Sequence, residues 1–130
     1  MKINFKPIGF VRSDIIEKKD APRHHSMSEK EGIIELLPEY AEGLYKIEER
    51  KYLVILFYFH KSDGQFSLRQ TPPTSNSPKG VFSTCSPNRP NAVGMDIVEL
   101  LKVEGNKLYI KNIDMLDGTP IIDIKPYKPL

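Results

Sequence analysis

The 130-residue chain has one cysteine, Cys85, and no tryptophan. A lone thiol forms no internal disulfide, so the fold must stand without a covalent staple, and this usage fits a reducing cytoplasm. No stretch approaches the roughly eighteen apolar residues that span a bilayer. The longest apolar run, Tyr52 to Phe59, suits a buried strand instead. No two of the eight glycines have G-x-G spacing, which removes the dinucleotide fingerprint and makes a Rossmann site unexpected; there is no P-loop either. The opening Met1-Lys2-Ile3-Asn4-Phe5 goes straight into strand-like sequence, with no signal-peptide pattern. Net charge is only +2, from 19 Lys and Arg against 17 Asp and Glu. That is short of the basicity of proteins that hold nucleic acid by charge alone, though a dimer can concentrate Arg and Lys on one face.

What is present reads as one domain, residues 1–130, of mainly β structure. Ile3 to Val11 contains Pro7 and reads as an edge strand. Arg12 to Lys30 is a long polar excursion, and Ile33 to Leu37 the next strand. Pro38 to Glu49 has apolar residues at Tyr40, Leu44 and Ile47, spacing that predicts the one short helix. Tyr52 to Phe59, apolar on both faces, predicts a central strand. Ser62 to Pro78 is a second long loop, and Gly80 to Ser83 a short buried strand. Met95 to Val103 and Leu108 to Ile113 flank Gly105-Asn106, a hairpin turn. Ile121 to Ile124 is the last strand. With six or seven strands and no βα alternation, the expected architecture is a small, predominantly antiparallel β-barrel.

Two irregular stretches carry the polar chemistry. Residues 84–94 set Ser86, Asn88, Arg89 and Asn91 on a backbone stiffened by Pro87 and Pro90. Asp114-Met115-Leu116-Asp117-Gly118-Thr119-Pro120 is a turn with two carboxylates. Rigid polar loops at strand ends are where binding and catalysis concentrate. The conventional reaction centres are weakly supported. His24, His25 and His60 match no zinc spacing, and adjacent histidines on an extended chain point apart. Nothing marks Cys85 as an activated nucleophile. Asp114 and Asp117 lack the register of a calcium loop, and carboxylates that cap a turn explain them equally well. The residues alone therefore reach a barrel whose loops position a cofactor or recognise a ligand.

The chain resembles the TsaA-like family, the tRNA threonylcarbamoyladenosine methyltransferases (TrmO). The resemblance rests on Ile8-Gly9 with Arg12-Ser13, Pro22-Arg23, Gly32 to Leu36, Phe59-His60-Lys61, and Gly80 to Thr84. It continues through Ser86-Pro87-Asn88-Arg89-Pro90-Asn91, Leu116-Asp117-Gly118-Thr119-Pro120 and Asp123-Ile124-Lys125-Pro126-Tyr127. It implies a homodimeric β-barrel methyltransferase that binds S-adenosylmethionine (SAM) outside the Rossmann architecture. The family methylates the exocyclic amine of threonylcarbamoyl-modified adenosine beside the tRNA anticodon, in a loop whose bases are open to a protein.

Carried across position by position, the resemblance puts cofactor contacts on Pro22, Arg23, His24, His60, Lys61, Cys85, Met95, Met115, Leu116, Asp117 and Gly118. Arg23 or Lys61 would pair with the cofactor carboxylate, and Asp117 would accept from its ribose or adenine. Arg89 and Asn91 are expected to shape the pocket or meet RNA. Each of these positions also reads as a turn or strand-end residue serving local backbone. His24 stands where the family usually has Gln, a mild exchange of one donor-acceptor for another. Cys85 stands where it usually has Arg, losing a charge and five donors. The sequence also stops soon after the expected barrel, without the C-terminal extension of longer members. These departures keep two alternatives in view: methylation of another RNA or a small molecule, and a non-catalytic SAM- or RNA-binding module.

Overall fold

A computed structural model describes residues 1–130. Eight strands form: β1 (Gly9–Arg12), β2 (Glu31–Leu36), β3 (Tyr52–Tyr58), β4 (Arg69–Gln70), β5 (Lys79–Gly80), β6 (Val93–Glu104), β7 (Lys107–Lys111) and β8 (Pro120–Pro126). Six of them close a barrel in the order β1-β2-β7-β6-β3-β8, every pairing antiparallel. β4 and β5 make a separate two-stranded ribbon.

Closure follows from alternation. In β3, Leu53, Ile55 and Phe57 point inward and are buried, while Tyr52 and Tyr58 are exposed. Val98 of β6, Leu108 and Ile110 of β7, Ile34 and Leu36 of β2 and Ile121 of β8 complete the interior. Burying a branched aliphatic side chain contributes about 1.5–3 kcal/mol, so this filling, rather than any single polar contact, holds the barrel. β6 serves two partners: Val93 to Glu99 pair with β3, and Glu99 to Glu104 with β7. A bulge at Leu100–Lys102 lets the strand bend between them.

The expected strands β2, β3, β7, β8 and the Gly105 hairpin form, with Gly105 at φ +60°. Three expectations need correction. The first strand starts at Gly9 rather than Ile3, leaving Ile3 and Phe5 exposed. Pro38–Leu44 and Ile47–Glu49 are 3-10 turns, not an α-helix. Gly43 weakens the segment and Lys46 sits in the left-handed region at φ +62°, which stops an α-helical ladder from continuing. Third, Gly80 to Ser83 is not a buried strand. Its strand part is only Lys79–Gly80, and a 3-10 turn follows in which Val81 is buried but Phe82 is 80% exposed. No helix is long and apolar enough to cross a membrane.

Candidate functional site

Four irregular segments converge at one end of the barrel: the β1–β2 excursion, the end of β3, the proline loop before β6, and the β7–β8 turn. Between them lies a cleft of about 360 Å³, within the usual size of small-molecule sites.

The excursion is anchored where it turns back. Ile15 is fully buried, the Ser28 hydroxyl donates to the Ile113 carbonyl at 2.6 Å, and the Ile97 N–H donates to His25 Nδ1 at 3.4 Å. These ties hold Pro22, Arg23 and His24 against the cleft, with His24 Nδ1 capping Ser26 N–H at 3.3 Å. His25 is buried beneath, its ring centroid 4.1 Å from that of His24. Burial first, and His24 second, lower the His25 pKa from the ordinary histidine value.

The proline loop is held by its own side chains. Arg89 Nη1 donates to the carbonyls of Thr84 at 3.0 Å and Ser86 at 3.1 Å, and Asn88 N–H to Ser86 Oγ at 3.1 Å. Gln70 Nε2 of the ribbon adds a bond to the Asn88 carbonyl at 2.6 Å. Cys85, Pro87 and Arg89 line the cleft and Cys85 is exposed there, whereas Asn91 lies outside it. After the loop, Gly94 of β6 passes directly beneath the Phe57 and Phe59 rings, where a Cβ would collide with both. The glycine lets those aromatics form the cleft wall.

The β7–β8 turn is held by distant backbone. Ser13 Oγ donates to the Met115 carbonyl at 3.0 Å, and Ser13 N–H to Asp117 Oδ1 at 3.1 Å. The N–H groups of Asp117 and Gly118 donate to Ile15 and Val11 carbonyls at 2.7 and 2.8 Å. Gly118 adopts φ +82°, a conformation that favours glycine. Asp117 and Gly118 thus support the cleft from behind and do not line it, while Met115 and Leu116 do. His60 packs against this turn, its Nε2 3.8 Å from where a Cβ on Gly118 would stand; burial first, then Lys61, lowers its pKa.

Nine of the eleven positions expected at the cofactor are therefore assembled in one lining: Pro22, Arg23, His24, His60, Lys61, Cys85, Met95, Met115 and Leu116. Lys18, Arg23, Lys61 and Arg89 line it with no ion-pair partner in the chain; Arg89 is held by two carbonyls, and the other three are available to an anionic group. No three His, Cys, Asp or Glu side chains are placed to hold a metal.

Among the lining residues that the sequence reading did not place at the site are the wall aromatics Phe57 and Phe59, and Asp96 with Asp114 as its partner. Asp96 is 1% exposed, and Asp114 N–H donates to its Oδ2 at 3.3 Å. Burial, with the adjacent Asp114 carboxylate, pushes the Asp96 pKa up to about 9. The available signal was alternation: Asp96 falls between Gly94 and Val98 on the buried, otherwise apolar face of the strand, a position where an unpaired carboxylate is costly.

Residues 10–130 match the family described as the tRNA-methyltransferase O N-terminal domain. An S-adenosyl-L-methionine-binding protein of Archaeoglobus fulgidus is 44% identical over 124 residues, 95% of this chain and 88% of that protein. A tRNA (adenine(37)-N6)-methyltransferase of Mus musculus is 40% identical over 131 residues, 94% of this chain but 30% of the relative. The crystal structure of TrmO from Pseudomonas aeruginosa superposes with a TM-score of 0.83 at 36% identity, covering 99% of this chain and 57% of that one. This chain thus spans little more than half of the TrmO chain it matches.

Proposed function

Because the chain belongs to the tRNA-methyltransferase O family, we infer that it is a SAM-dependent methyltransferase acting on the exocyclic amine of a tRNA adenine. We further propose that the acceptor is the threonylcarbamoyl-modified adenosine beside the anticodon. The observation that carries this reading is the single cleft that gathers Arg23, His24, His60, Lys61, Met95, Met115 and Leu116 from four separate segments. Its chemistry fits the cofactor. Free cations suit the methionine carboxylate, the Phe57 and Phe59 wall and Met115 suit the apolar and aromatic parts, and the orphaned Asp96 Oδ1 suits a cationic or donor group.

SAM supplies an activated methyl group when bound; the chain supplies placement. Bringing a methyl donor and an amine into line is worth several kcal/mol of barrier without any covalent intermediate, and nothing in the lining forms a nucleophile pair. Arg23 and Lys61 would fix one end of the cofactor, Met115 and Leu116 the other, with the Gly94 gap setting how close the aromatic wall approaches. Arg89, locked by two carbonyls, holds the rim that the RNA meets. Asp117 acts through the turn it caps.

The active form in this reading is a cytoplasmic homodimer. Leu68 and Phe82, exposed on the ribbon and the turn after it, supply apolar surface beside the proline loop for the second copy. A second reading, SAM binding with a different acceptor or with none, is favoured by one observation: Cys85, not Arg, lines the cleft. Threonylcarbamoyl-modified tRNA incubated with the purified chain and SAM, followed by nucleoside mass spectrometry, should show the modified adenosine heavier by one CH₂, a methyl group having replaced the amine hydrogen. SAM binding without that gain would move the assignment to the second reading.

A further inference from the structure

Asp96 Oδ1 is buried in the cleft lining and has no hydrogen-bond partner. Folding has stripped this oxygen of water without replacing it, and such atoms mark where a bound group completes the shell. Its other oxygen accepts from the Asp114 N–H at 3.3 Å, which sets the two carboxylates side by side. Asp96 and Asp114 are the only carboxylates among the lining residues. The surrounding titratable groups are Arg23, His24 and buried His25 on the excursion, Lys18 beyond them, His60 and Lys61 after β3, and Cys85 and Arg89 on the proline loop. None is ion-paired with either carboxylate. Burial keeps His25 and His60 below their ordinary pKa, so neither offers a positive charge at neutral pH. The pair is thus an acid site with which none of the cleft's own cations is ion-paired.

We propose that Asp96, beside Asp114, is the counter-ion to the sulfonium of SAM and the acceptor of the proton that methyl transfer releases. The proposal rests on the cofactor reading given above. In the free protein, burial first and the adjacent Asp114 second keep a proton on Asp96. A sulfonium entering the cleft favours the ionised pair, and the proton leaves to solvent. On transfer, the N–C bond forms and the S–C bond breaks with its electron pair staying on a now neutral sulfur. The amine N–H proton passes to Asp96, which restores the protonated pair. One positive charge faces the carboxylates before the step, as sulfonium, and one after it, as a proton, so the net charge of the buried site is the same on both sides of the transfer.

The test is calorimetric titration of the whole chain with SAM and with S-adenosylhomocysteine at pH 7.5, each in phosphate and in Tris. The difference between buffers reads proton release. SAM should release about one proton and S-adenosylhomocysteine, which keeps the ammonium but lacks the sulfonium, essentially none. Asp96→Asn, which copies the shape of the protonated acid, should abolish the release, retain S-adenosylhomocysteine binding, and lower methyl transfer by ~100-fold. Equal release with both ligands would overturn the proposal by assigning the charge to the ammonium. SAM binding without release, or release that survives in Asp96→Asn, would also overturn it while leaving the cofactor reading intact. Failure of SAM to bind at all would remove both. The wild-type comparison of the two ligands decides the matter even if the variant folds poorly.

Discussion

The two loops that frame the cleft are built on opposite plans. The proline loop is tied mainly to itself, through Arg89, Ser86 and Thr84 bonds that span only a few residues. The β7–β8 turn is tied across the molecule, to Ser13, Val11 and Ile15. A self-tied loop can exchange an exposed side chain, such as Cys85 in the cleft lining, with little consequence for the barrel. A turn tied to distant strands cannot change so freely, because its residues serve closure and site together.

Substitutions on the two sides should separate these plans. The largest effect is expected at Met115, 1% exposed and part of both core and cleft: Met115→Ala should lose about 2–5 kcal/mol in urea unfolding. Asp96 should dominate the pH response. Its folded pKa is raised from 3.8 to about 9, so the folded chain keeps a proton that the unfolded chain releases, and stability falls as pH climbs through that window. Asp96→Asn should flatten the fall, which is bounded by about 1.4 kcal/mol per pH unit; an unchanged slope in thermal unfolding from pH 5 to 9 would place the proton elsewhere. Asp117→Ala removes the acceptor for Ser13 N–H and should cost about 1 kcal/mol, with weaker SAM binding following from the loosened turn. Cys85→Arg should leave stability within about 0.5 kcal/mol while tightening SAM binding measurably by calorimetry. If Cys85→Arg instead destabilised as much as Asp117→Ala, the two loops would not differ in plan.

The barrel was largely legible because its signals are periodic. β3, β7 and the Gly105 hairpin follow from apolar runs and turn chemistry that act locally. The segment after Pro38 misled because Tyr40, Leu44 and Ile47 have helical spacing, while a glycine and one left-handed lysine tighten the backbone into 3-10 turns. For the site, Arg23, His60 and Met115 were reachable only through motif resemblance, since residues so distant in sequence meet by closure alone. Asp117 shows the limit of that route: the motif marks the residue, but its oxygen accepts from Ser13 and caps β1 instead of facing the cleft. Asp96 was hidden for the opposite reason. It belongs to no loop, and an acid inside a strand reads as an outward residue until the register is known.

The contact between Ser13 and Asp117 joins positions 104 residues apart, and β1 meets β8 just beside it. On a growing chain, such a contact must wait until nearly the whole polypeptide has emerged. The excursion bearing Arg23 and His24 is synthesised early, yet the turn that completes their cleft arrives almost last. Long-range closures of this kind are also the slow steps of β-rich folding. Synthesis thus imposes an order on the molecule: a nascent chain carries Lys18 and Arg23 early, and the cleft they line is complete only when the barrel shuts.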